Sequence, residues 1–272
     1  RETCEVCHWP ARFHGSHLVA HPRFARDAEN TAQTTALVVH VGGPSDADAT
    51  TPASGIHWHV DPRNEVRYRH LDAERQEIVE VVQSTPDGEI RYLREDADPD
   101  AGQWRTMDCL DCHNRPTHIF DLPHRAMDKA LASGALDADI PWLRKEGERV
   151  LREVTPDADT EARIAGRLRA IYAADHPDHL AALEAALAAA AAELARTLER
   201  NGRPHVNLTR GTHETHIPHL DAHGDWSDGG CFRCHDGEME AAGGEYIAQD
   251  CEACHTVVAM EEPGWDGVEG VD

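Results

Sequence analysis

The sequence predicts a mainly α and irregular fold with a small antiparallel β element, its core built around covalently attached groups. Three observations predict it. The apolar inventory is lean: 40% of 272 residues are hydrophobic and 5% aromatic, so something besides side chains is needed to fill an interior. All eight cysteines fall into four copies of one short motif. Between the second and third copies runs a long stretch of helical periodicity without cysteine.

The motifs are Cys4-Glu-Val-Cys7-His8, Cys109-Leu-Asp-Cys112-His113, Cys231-Phe-Arg-Cys234-His235 and Cys251-Glu-Ala-Cys254-His255. C-x-x-C-H is the attachment string of c-type haem. Two thiols add across the porphyrin vinyl groups, and the following His sits under the ring as proximal iron ligand. By spacing alone, Cys231, Cys234, Cys251 and Cys254 also fit a zinc ribbon, and each pair fits a redox disulfide. Neither alternative explains a His after every pair. Histidine makes up 20 of 272 residues, so four such placements by chance are on the order of 3 in 100,000. The expectation is a multihaem cytochrome c with a core built around four covalent haem c groups. The eight cysteines then bind cofactor, and His8, His113, His235 and His255 bind iron.

Sixteen histidines remain for at most four distal positions. Bis-His coordination is the default, because a closed iron reorganises little between redox states, whereas an enzyme keeps one position open. In Gly55-Ile-His57-Trp58-His59-Val60, strand alternation puts both histidines on one face. At roughly 6.5–7 Å apart they cannot share an iron but suit two neighbouring haems. His118 follows His113 by five residues and reaches an adjacent haem more readily than its own. His223 lies in the loop Ala222-His223-Gly224-Asp225, able to fold over a ring edge. His176 and His179 flank Pro177 and read as solvated, and Met107, Met127, Met239 and Met260 read as packing.

Along the chain, β-branched runs at 36–41, 55–60 and 65–70 predict strands, and 78–82 with 89–93 predict a hairpin through Pro86-Asp87-Gly88. Helices are predicted over 123–133, 141–154, 159–174 and 178–200. The last carries Leu180, Leu183, Leu187, Leu194 and Leu198 at helical spacing. This divides the chain into a two-haem region with a small sheet (1–122), a helical haem-free insert (123–202) and a two-haem C-terminal module (203–272). The insert reads as structural rather than as a docking surface. Cys251 follows Cys234 by seventeen positions, which places the last two haems close together.

The net charge of −24 excludes nucleic acid as a partner, since phosphate binding needs a basic surface. It reads first as solubility and second as docking to a basic redox protein. The most apolar stretch, 180–198, is mostly Ala and contains Glu184 and Glu193, so it reads as a soluble helix and not a membrane span. The chain begins at Arg1, as expected of a processed or truncated product. Haem attachment is completed after export and every cysteine is used, so the expected location is periplasmic, extracellular or the extracytoplasmic face of a membrane.

The strings Cys4-Glu-Val-Cys-His-Trp-Pro10, Gly55-Ile-His-Trp-His59, Asp108-Cys-Leu-Asp-Cys-His-Asn-Arg-Pro-Thr-His118 and Gly230-Cys-Phe-Arg-Cys-His-Asp-Gly237 together resemble the soluble C-terminal region of NapC/NirT-type multihaem cytochromes. The resemblance implies bis-His ligation, with His57, His59, His118 and His223 as distal ligands. It also implies a relay between a quinol-linked membrane module and periplasmic or extracellular acceptors. The family's upstream membrane helix has no counterpart in this sequence. The expected function is therefore a tetrahaem electron carrier, not an enzyme, with redox proteins as donor and acceptor. The alternatives are a self-assembling haem filament, suggested by the surplus histidines, and a reductase with an open iron, which the lack of a C-x-x-C-K site weakens.

Overall fold

In the computed structural model, residues 4, 6, 15–42, 54–73, 75–113, 120–201 and 230–267 are described. Val66 and Tyr68 alternate along β3 (Glu65–His70), β4 (Ile78–Thr85) is buried from Ile78 to Val82, and β5 (Gly88–Leu93) buries Tyr92; the three pair antiparallel in succession. Thr85 lies opposite Gly88, so Pro86 and Asp87 make a two-residue hairpin turn. β6 (Gln103–Thr106) adds to the free side of β3 and β7 (Glu240–Ala241) to that of β5, giving the order β6-β3-β4-β5-β7. One face buries Val66, Tyr68, Ile78, Val81 and Tyr92 together with Met239 and Cys234. The third motif is thus anchored in the sheet's own core. A second sheet has the order β1-β2-β8, from β1 (His17–Phe24), β2 (Ala32–Val39) and β8 (His255–Glu262).

Four helices occur among the described residues: α1 (Pro123–Ala132), α2 (Leu143–Glu153), α3 (Thr160–Asp175) and α4 (Pro177–Asn201). Proline opens α1 and α4, where a missing N–H costs nothing. Leu187, Leu194 and Leu198 of the α4 stripe are buried against Leu143, Ile164, Leu168, Ile171 and Tyr172, while Leu180 and Leu183 pack at its margin. No helix of the described residues is long and apolar enough to cross a membrane.

The chain forms two compact units. The first comprises Arg1–Val19, Leu37–Pro116 and Thr209–Thr256; the second comprises Ala20–Ala36, Thr117–Leu208 and Val257–Asp272. The second unit is closed by a buried ion cluster. Arg144 donates to Asp128 and to Glu148 at 2.5 Å each, and Glu148 also accepts from Arg26 at 2.8 Å and Arg152 at 2.6 Å. Asn30 fastens the incoming strand by donating to the carbonyls of Ala138 and Ile140, both at 2.8 Å. His176 is not solvated. Its ring stacks on Trp142 at 4.2 Å, and its Nε2 lies 3.1 Å from Oε1 of the buried Glu146. His179 is exposed and meets Trp142 edge-on.

The predicted fold class needs correcting. The described chain is a mixed α/β structure with eight strands in two sheets and four helices, not a mainly helical and irregular fold with a haem-built core. Its two apolar clusters are made of side chains. Averaging composition over the whole chain hides this, because the apolar residues concentrate on one face of the strands and one face of the helices. Among the four methionines, Met127 and Met239 are fully buried and Met107 packs on the sheet core, while Met260 is exposed.

Candidate haem sites

All described C-x-x-C-H residues belong to the first unit. In each of the last three motifs the x-x pair winds into a short 3₁₀ turn: Cys109–Asp111, Gly230–Arg233 and Cys251–Ala253. The His113 N–H donates to the Cys109 carbonyl at 2.7 Å, and the His235 N–H to the Cys231 carbonyl at 3.1 Å. In the fourth motif the Cys254 N–H donates to the Cys251 carbonyl at 3.2 Å. One turn therefore brings both cysteines and the histidine of a motif together. Aspartates start two of these turns. Asp108 accepts from the Leu110 N–H at 2.8 Å, while Asp111 returns a bond to the Asp108 N–H. Asp250 accepts from the Glu252 N–H at 2.9 Å.

Cys4, Cys109, Cys112, Cys231, Cys234, Cys251 and Cys254 form no disulfide. Burial pushes the Cys109, Cys112 and Cys254 thiols up. It takes Cys231, with Cys112 and Cys254 adding to it, to about 12, and Cys234 also to about 12. A redox C-x-x-C needs the opposite shift, toward thiolate. Nor do the described residues contain a cluster of three or more His, Cys, Asp or Glu arranged to hold a metal ion, as a zinc ribbon would require. Sulfurs held in partly apolar surroundings, as those of Cys112, Cys231 and Cys234 are, suit thioether formation with an apolar macrocycle.

His57 and His59 lie on a 3₁₀ turn, Ile56–Val60, and not on a strand. Successive residues of a 3₁₀ turn are about 120° apart, so the two histidines do not share a face. Trp58 between them packs on the sheet core. The turn is held by backbone bonds of 2.9 Å from Ile56 to the His40 carbonyl and from His57 to the Val41 carbonyl. His40 in turn donates its N–H to the Cys254 carbonyl at 2.8 Å, so the fourth motif and this turn share one strut. The backbones approach so closely at Gly55 that a Cβ there would lie 2.5 Å from the His40 carbonyl oxygen, and Gly55 has φ +66°.

His59 and His235 come together. Their ring centres are 5.8 Å apart and their planes cross at 73°. The Nδ1 of His59 lies 2.8 Å from the Ile56 carbonyl and that of His235 lies 2.6 Å from the Ala248 carbonyl. A carbonyl only accepts, so each Nδ1 carries the proton and each Nε2 keeps its lone pair. Burial holds the His59 imidazole below the usual histidine range, opposed by its bond to Ile56 and aided by His235 and His57. Two neutral imidazoles with both Nε2 lone pairs available are a donor set that could bind iron. A cleft of about 590 Å³ adjoins His59, lined also by Val60, Asn64, Val66, Met107 and Asp108; neither His235 nor a motif cysteine lines it.

The second and third motifs are joined by residues that the motif pattern does not single out. Asp111, inside the second motif, is buried and accepts from the Tyr68 hydroxyl at 2.5 Å and from Arg75 at 3.2 Å; Arg105 lies at 3.4 Å. Arg233, inside the third motif, donates to the Asp111 carbonyl at 3.1 Å. The Asp before Cys109 and Cys251 was a legible turn-start signal; the partners of Arg233 were not. Cys7, His8, His118 and His223 lie outside the described residues.

No family model and no solved structure matches the chain. It is 33% identical over 268 residues, 96% of its length, to the cytochrome c-type protein ImcH of Geobacter sulfurreducens. It spans 51% of that protein's length. In its motifs, in their local geometry and in this match, the chain is similar to a c-type cytochrome.

Proposed function

We propose that this chain carries four covalent haem c groups and transfers electrons through them outside the cytoplasm, as a carrier rather than an enzyme. The observation that carries the reading is the His59–His235 pair, two Nδ1-anchored imidazoles 5.8 Å apart at the third motif. Bound haem supplies a one-electron iron couple. The chain's own residues do the rest. Paired cysteines would attach each haem, His8, His113, His235 and His255 would each bind an iron, and His59, beside His235, would serve the iron of the third motif. Anchoring both imidazoles by backbone carbonyls keeps the ligands still between redox states, which suits electron transfer. His57, His118 and His223 are the further distal ligands in this reading. Donor and acceptor are redox proteins, the donor being a membrane quinol-linked complex. Similarity to a protein named as c-type cytochrome supports the haem part of the reading.

The test begins with a pyridine haemochrome assay of the purified chain, expected to give four c-type haems. Electron paramagnetic resonance of the oxidised protein should show low-spin iron only. Replacing His59 by Ala should convert one haem of the four to high spin. Absence of haem would end the reading, and an unchanged spectrum in the variant would remove His59 from it.

A further inference from the structure

Arg233 occupies the third position of Cys231-Phe-Arg-Cys234 and is 8% exposed. Its guanidinium reaches three backbone carbonyls. Nε donates to Gly230 at 2.9 Å within its own turn, Nη1 to Arg75 at 2.8 Å in the β3–β4 connection, and Nη2 to Asp111 at 3.1 Å. Asp111 is the residue before Cys112, so a side chain of the third motif is bonded to the backbone of the second. No ion pair to Arg233 occurs among the described residues. Burying a cation on neutral carbonyls alone is costly, and a surface arginine would fasten a loop at less cost. Lysine has no planar fork to span three carbonyls on separate segments.

We propose that Arg233 is a positioning residue that locks the second and third attachment turns into one rigid pair and serves as their shared buried cation. This rests on the haem reading above. A positive charge in a low-dielectric interior favours the state of lower positive charge at a neighbouring iron, so the reduced form of both haems is stabilised. Their midpoint potentials are higher than they would be without this cation, and the fixed bond between their turns holds the two attachment turns together. The sequence pattern pairs the third haem with the fourth; the Arg233 bond adds the second as an equally direct neighbour.

The experiment uses the haem-loaded full chain, wild type beside Arg233→Gln and Arg233→Lys. Haem is counted first, then each protein is titrated by optical spectroelectrochemistry. Gln keeps a donor but removes the charge, and Lys keeps the charge but loses the fork. The expected result is four haems in each, with two of the four potentials shifted downward in Arg233→Gln and largely restored in Arg233→Lys. Four haems with unchanged potentials in Arg233→Gln would overturn the proposal, as would an equal shift of all four. An equal shift in both variants would overturn the shared-charge role. Failure of both variants to load four haems would show a folding role only and overturn it too. A wild-type chain without haem would instead sink the underlying reading.

Discussion

Glu148 shows how much a single carboxylate governs in this molecule. Burial works against its ionisation, but Arg144 first, then Arg152 and Arg26, overcome this and hold its carboxyl down at about 2. Because the folded value lies below the unfolded one, the stabilisation is fully present above about pH 4.5 and is lost as the pH falls toward about 2. Glu148→Gln should cost about 3 kcal/mol at pH 7. Guanidinium melts should show the gap to wild type narrowing between pH 4.5 and pH 2; a gap independent of pH would refute it. Tyr68 is the counterpart in the first unit. Burial, together with its bond to Asp111, pushes its hydroxyl up to about 12. Tyr68→Phe leaves Asp111 with its arginines and should cost about 1.5–3 kcal/mol in the same assay, the range for a hydrogen bond to a charged group.

At the scale of elements, periodicity was a good guide wherever an element has one apolar face. The four helices begin and end within two residues of the predicted ranges, and the β4–β5 hairpin turns at Pro86 and Asp87. Four strands escaped. β1 contains Pro22 and has no buried residue, β6 has four residues, β7 has two, and β8 starts directly from His255, so none shows clear alternation. The turn at Ile56–Val60 was misread because His-Trp-His has the alternation of a strand, while Gly55 forces the chain round before it can extend. Gly55→Ala should therefore cost about 2 kcal/mol through strain and backbone overlap. It should also displace His59, seen as high-spin iron in the oxidised spectrum; a purely low-spin spectrum with normal stability would contradict this.

For the whole molecule, the helical core of the second unit contains no cysteine and no motif histidine. Leu194→Ala, at a fully buried position, should cost about 2–5 kcal/mol and lower the thermal midpoint while leaving the haem spectrum and haem count unchanged. A change in haem spin state on this substitution would show that the insert takes part in ligation. The lean composition suggested an interior filled by cofactor, yet both units have side-chain cores. Whole-chain averages dilute residues that sequence order gathers onto single faces.

By itself the sequence determined the four C-x-x-C-H motifs, the four helices and the central hairpin. Each is written in local spacing: covalent chemistry needs two thiols and an imidazole within five residues, and helices and hairpins need only their own period. Tertiary structure decided that His59 meets the third motif. His59 reaches His235 because the Gly55 turn and the β3–β7 sheet bring together segments far apart in the chain. It likewise decided that Arg233 joins the second motif to the third. Such pairings depend on where backbones cross, and no local period records that.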